Sequence, residues 1–248
     1  MTRIALILLC LCAIGAAALA WRAPHLLPRP VAERLGLAGD LAEIRARVTA
    51  PLTESLASKG LTFGAPVYLR VFKEEAELEL WVEGAEAWTL FKTYPICAFS
   101  GDLGPKQAEG DGQAPEGFYT VTTDQLNPRS RFHLSFDLGF PNAYDRAQGW
   151  TGSHLMIHGD CVSIGCYAMT DAGIEEIYLL VDAALTAGQR GVEVHAYPFH
   201  MTEARLATEE GNAWYPFWRQ MRFGYMIFDR LGDVPFVTVE DGNYTFSD

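Results

Sequence analysis

From residue 67 to residue 82 the apolar pattern has a period of two, which is the strongest constraint on what this chain can fold into. Val67, Leu69 and Val71 alternate with Tyr68, Arg70 and Phe72, and Leu78, Leu80 and Val82 alternate with Glu77, Glu79 and Trp81. Successive side chains of a strand point to opposite faces, so the pattern predicts two strands, and Lys73-Glu74-Glu75 predicts the turn of a hairpin. Further strands are predicted at 88–96, 117–122, 132–136, 155–157 and 191–196. Helical spacing appears in two places. Leu41, Ile44, Val48, Leu52 and Leu56 recur along one helical face, interrupted by Pro51, which predicts one kinked helix or two short ones covering an edge of the domain. Asp171 is a candidate cap for a helix through Ile174, Ile177, Tyr178 and Val181 to about Leu185. The aromatic tail from Trp214 is expected to pack on the body as helix and strand. The fold class is therefore mainly β with helical edges and a mostly antiparallel sheet.

Arg3 precedes an apolar run at 4–14 and a small-residue stretch ending Ala18-Leu19-Ala20. This is the layout of a secretory signal with an A-x-A cleavage site, which assigns 1–20 as signal peptide and the periplasm as destination. The alternative, an uncleaved inner-membrane anchor, is opposed by the run's length, since a span needs roughly 20 apolar residues. Residues 21–64 read as a linker and helical N-terminal segment. A net charge of −12 excludes a nucleic-acid partner, which would require a basic patch. With the signal removed, the cysteines are Cys97, Cys161 and Cys166. Three is an odd number for an oxidising compartment, and one pairing consistent with it joins Cys97 to Cys161 and leaves Cys166 free. Two buried thiols satisfy the sequence equally well.

Chemistry concentrates in residues 153–169. A strand at 155–157 delivers His158 to its end, and Ser163-Ile164-Gly165 turns the chain so that Cys166 faces back towards it. A thiol nucleophile needs a base, a group that orients the base, and N–H donors for the oxyanion. His158 is the candidate base, and an imidazolium there would also lower the Cys166 pKa. The amides around Gly165 and Cys166 are candidate oxyanion donors, with Ser163 and Gly165 shaping the turn. Two readings compete. Cys166 can be a small buried hydrophobe, or His154, His158, Cys161 and Cys166 can ligate a metal. On a strand, however, His154 and His158 lie about 13 Å apart, too far for one zinc. His154 then either assists the site or packs in the core; His133, His195 and His200 have no motif around them.

The run Ile157-His158-Gly159 followed by Ser163-Ile164-Gly165-Cys166 resembles the signature of the murein L,D-transpeptidase family with its YkuD-type catalytic domain. Phe72-Lys73-Glu74-Glu75, Gly104-Pro105-Lys106-Gln107, Pro115-Glu116-Gly117-Phe118-Tyr119, residues 139–146 and residues 161–169 together resemble the YafK branch.

The resemblance implies a catalytic domain at 65–202, an antiparallel sheet sandwich, followed by an extension at 203–248. It implies no cofactor and no metal. Cys166 would attack the carbonyl at the L-centre of meso-diaminopimelate in a peptidoglycan stem peptide, His158 would carry the proton, and the Gly159 carbonyl would orient the imidazole. Separately from the resemblance, Tyr144, Asp145 and Arg146 are candidates to line the substrate cleft, Arg146 either meeting a stem-peptide carboxylate or forming a plain surface ion pair. Many relatives carry a His directly before the Gly-Cys pair and a polar residue two positions after the Cys; this chain has Ile164 and Ala168. That departure implies release of a murein-bound outer-membrane lipoprotein. The alternatives are formation of 3-3 cross-links, attachment of lipoprotein, or a murein-binding module without turnover.

Overall fold

The structure, a computed structural model, describes residues 41–247. The expected signal segment and the first part of the linker lie outside the described residues. Helix α1 (Leu41–Ala57) buries Ile44, Leu52 and Leu56 and runs through Pro51 as one element. It is held from outside, which offsets the backbone bond that Pro51 removes. Arg47 pairs with Glu175 at 2.7 Å and Arg45 with Asp182 at 2.5 Å.

The predicted hairpin forms as β1 (Val67–Phe72) and β2 (Glu77–Glu83), followed by β3 (Trp88–Ala98) and β4 (Gly117–Val121). Next come β5 (Leu126–Ser130), β6 (His133–Asp137), the short helix α2 (Ala143–Ala147), β7 (Met156–His158) and β8 (Tyr167–Met169). Helix α3 (Asp171–Ala187) and β9 (Val192–Tyr197) follow. The strands make one nine-stranded sheet in the order β4-β9-β1-β2-β3-β8-β7-β6-β5. Most neighbours are antiparallel, but β1–β9 and β7–β8 are parallel, so the sheet is mixed.

The expected sandwich is a single curled sheet. β3 supplies the corner: its first part pairs with β2, its end pairs with β8 through Ile96 and Ala98, and both ladders shift register along it. Such a bulged strand lets one sheet fold over its own core. That core combines Leu69, Leu80, Phe136 and Ile157 from the strands with Ile177 and Val181 of α3. The cap of α3 also differs from expectation. Thr170 fills it, its hydroxyl accepting from the Gly173 N–H at 3.1 Å, while Asp171 turns to accept from the Asp160 N–H at 2.8 Å.

Residues 203–247 form α4 (Glu203–Ala207), α5 (Tyr215–Leu231) and the hairpin β10 (Phe236–Glu240) with β11 (Asn243–Ser247). They build a second core, largely aromatic, with Phe72, Phe118, Tyr197 and Trp218. The indole N–H of Trp218 donates to Glu116 at 2.8 Å, fixing the C-terminal segment to the loop between β3 and β4.

Candidate active site

Parallel pairing of β7 with β8 sets the geometry. Ile157 lies opposite Tyr167 and His158 opposite Ala168. Cys166 sits in the bend immediately before β8, and its sulfur turns to the backbone of the β7 segment, accepting from the Met156 N–H at 3.4 Å, two residues before His158. The loop between them is tied to the end of β3 by a Cys97–Cys161 disulfide with a Cα–Cα distance of 5.3 Å. Cys166 is left free and buried.

His158 is 1% exposed, and its Nδ1 lies 2.6 Å from the Gly159 carbonyl oxygen. Because a carbonyl only accepts, Nδ1 carries the proton and Nε2 keeps its lone pair. Phe132 covers the ring at 4.7 Å between centroids. Burial holds the imidazole below its usual pKa, partly opposed by the Gly159 bond. Burial also raises the Cys166 pKa, and the Met156 N–H, donating to the sulfur at 3.4 Å, opposes that rise. Burial thus favours the uncharged form of both groups, the opposite direction from the thiolate–imidazolium pair expected from sequence.

The turn before Cys166 also differs from expectation. Gly165 adopts φ of +95°, a left-handed conformation that favours glycine. Its N–H donates to the Ser100 hydroxyl at 2.5 Å, and the Cys166 N–H donates to the Ser163 hydroxyl at 3.0 Å. Ser163 then donates to the Cys166 carbonyl at 2.7 Å, closing its own turn. Both backbone amides expected to hold an oxyanion are already bonded. Ser100 carried no sequence signal, being a serine in a Gly-rich loop far along the chain.

That loop is anchored from inside. The ammonium of Lys73, wholly buried, donates to the carbonyls of Asp102, Gly104 and Ala114 at 2.8 to 3.0 Å and pairs with Glu116 at 3.1 Å. The Tyr167 hydroxyl donates to the Pro115 carbonyl at 2.6 Å, joining the loop to the residue after Cys166.

The other sequence candidates separate from this centre. Tyr144 is buried and stacks on Tyr244 at 4.3 Å in the second core. Arg146 is exposed, donates to the Pro141 carbonyl, and lines a cavity of about 380 Å³ with Asn142, Glu193 and Thr238, a lining that does not include Cys166. His154 is exposed with a positive φ ahead of β7, so its side chain neither packs nor shares the His158 face; its carbonyl accepts from the Cys166 thiol at 3.5 Å. Among the described residues Glu77, Glu79 and His200 bring potential metal ligand atoms within 4.8 Å of one another. Glu79 is spent on Arg70 and Trp81, and Glu77 on His200.

Residues 66–195 match the YkuD L,D-transpeptidase catalytic domain, and the chain belongs to this family of peptidoglycan-modifying enzymes. It is 50% identical over 184 residues, 74% of this chain and 75% of the relative, to YafK of Escherichia coli (strain K12), which bears the provisional name of an L,D-transpeptidase. Solved structures with a similar fold include the helical cell shape determining protein Pgp2 from Campylobacter jejuni, at 18% identity and TM-score 0.43 over 77% of this chain and 80% of that one. Bd1075 of Bdellovibrio bacteriovorus shares 19% identity at TM-score 0.38 over 54% of this chain and 48% of that one.

Proposed function

We propose that the protein is a periplasmic cysteine acyl-transfer enzyme that cleaves the amide joining an outer-membrane lipoprotein to meso-diaminopimelate of murein. The observation that carries the reading is that β7, the strand bearing His158, pairs with β8 directly after Cys166, whose sulfur lies 3.4 Å from the Met156 nitrogen, with the His158 tautomer fixed by the Gly159 carbonyl. The Cys166 sulfur attacks the carbonyl carbon at the L-centre while His158 Nε2 takes the thiol proton. Collapse of the tetrahedral intermediate breaks the C–N bond, and His158 returns the proton to the departing amine. A thioester remains. Water then attacks it with His158 as base, giving a carboxylate and the free thiol. The Gly159 carbonyl orients the imidazole in the place usually taken by a carboxylate.

The preference for cleavage rests on the nucleophile turn. Ile164 is 89% exposed and Ala168 is buried in β8, so neither position offers a polar side chain to a donor stem. A lost polar contact in a closed site is worth about 1–3 kcal/mol, enough to change the dominant substrate. Lipoprotein-bearing sacculi and lipoprotein-free muropeptides, incubated separately with the enzyme, test the direction. Release of protein should exceed formation of 3-3 dimers; dimers without release would favour the transpeptidation reading.

A further inference from the structure

We propose that Ser100 is a catalytic residue whose hydroxyl donates to the oxyanion formed during acyl transfer; this rests on the assignment of Cys166 as nucleophile. An acyl-transfer site must offer hydrogen-bond donors where negative charge develops. Here the Gly165 and Cys166 amides are occupied by serine oxygens. Ser163 uses its acceptor on the Cys166 N–H and its proton on the Cys166 carbonyl, so it has no proton to offer. Ser100 is different. Its oxygen accepts from the Gly165 N–H at 2.5 Å, one residue before the nucleophile, and its proton has no acceptor among the described residues. The residue is half-buried, so the proton can reach a bound substrate. Accepting from an amide also polarises a hydroxyl and strengthens it as a donor. The serine thus relays the amide's polarity to the acyl oxygen.

The support around Ser100 fits this role. Its loop is held by the buried Lys73 through the carbonyls of Asp102, Gly104 and Ala114, and the Ser100 carbonyl accepts from the Ala114 N–H at 3.0 Å. A donor placed on a loop this firmly tied requires little reorganisation when charge appears.

The test compares two reactions of Cys166. Alkylation by iodoacetamide is a displacement without an oxyanion, whereas acylation by p-nitrophenyl acetate passes through a tetrahedral one. Ser100→Ala should slow Cys166 acylation on the order of 10²-fold while leaving the alkylation rate nearly unchanged, with at most a modest drop in thermal midpoint from the lost Gly165 N–H bond. Ser100→Thr, which keeps a hydroxyl, should recover most of the loss. Equal acylation in Ser100→Ala and the unaltered enzyme would overturn the proposal, as would parallel loss of both reactions, which marks a structural role. If the unaltered enzyme turns over muropeptides yet Cys166 is never acylated, the nucleophile assignment itself falls, and the role of Ser100 with it.

Discussion

Lys73 and Glu116 form an ion pair with both side chains fully buried, Nζ to Oε1 at 3.1 Å, and the other hydrogen bonds of the two side chains reach the loop between β3 and β4 or Trp218 of the C-terminal helix. Glu116 accepts from the Gly104 N–H and from Trp218, while Lys73 gathers three loop carbonyls. The pair holds the loop between β3 and β4 and α5 to the sheet at one point.

Removing one partner strands a charge in an apolar interior. Lys73→Met should therefore cost about 3–5 kcal/mol and release the loop that carries Ser100. Urea denaturation should show the lower midpoint, and muropeptide turnover should fall further than residual folding explains. A variant as stable and active as the parent would remove the pair from this role.

Asp145 is buried with Oδ1 lacking a partner among the described residues, while Oδ2 accepts from the Asn142 N–H at 2.9 Å and from Tyr119 at 3.2 Å. Burial raises its pKa to about 6 against those two bonds. A pKa raised on folding means that the unfolded chain loses its proton first as pH rises. Stability therefore declines between the ordinary carboxyl value and about 6. Asp145→Asn should be about 1–2 kcal/mol more stable than the parent at pH 8 and show no such advantage at pH 4. Denaturant midpoints at the two pH values check it.

Much of the fold was legible because it is local. The β1–β2 hairpin and α3 announce themselves through periods of two and 3.6. β5 was not legible: Leu126-Asn127-Pro128-Arg129-Ser130 is polar and contains a proline, which is tolerated because β5 is the last strand of the sheet. β7 and β8 are too short for a period, so the approach of Cys166 to the strand that bears His158 was readable only as a motif. The short helix α2, capped by Asn142, was missed, and with it the burial of Tyr144 against Tyr244. Ser100 and the three carbonyls held by Lys73 depend on contacts across the chain that no spacing encodes.

Burial of His158 and Cys166 implies a pH dependence for the proposed reaction. The proposed acyl transfer needs His158 unprotonated, and its pKa is held below the usual value near 6.5. Activity should rise through that lowered pKa and be level by neutral pH. Iodoacetamide alkylation follows the thiolate instead, so it should climb only above the usual thiol value near 9. His158→Ala should lower acyl transfer by about 10²–10⁴-fold and leave the alkylation profile nearly in place. An alkylation profile with a thiolate already formed at pH 6 in the parent, lost in His158→Ala, would establish an ion pair instead.

The Cys97–Cys161 bridge ties the 159–165 loop to β3. Cys97→Ser with Cys161→Ser should cost about 2–4 kcal/mol and reduce turnover by loosening the loop between base and nucleophile. Thermal midpoints with and without reductant, beside the double variant, give the comparison. Full activity in the double variant would confine the bridge to a stabilising role.

The most direct measurement is mass spectrometry of the enzyme quenched in acid during turnover of lipoprotein-bearing sacculi. The account expects an acyl adduct carried by the peptide containing Cys166, absent in Cys166→Ala, together with loss of protein release in that variant. An adduct on another residue, or continued release by Cys166→Ala, would contradict it.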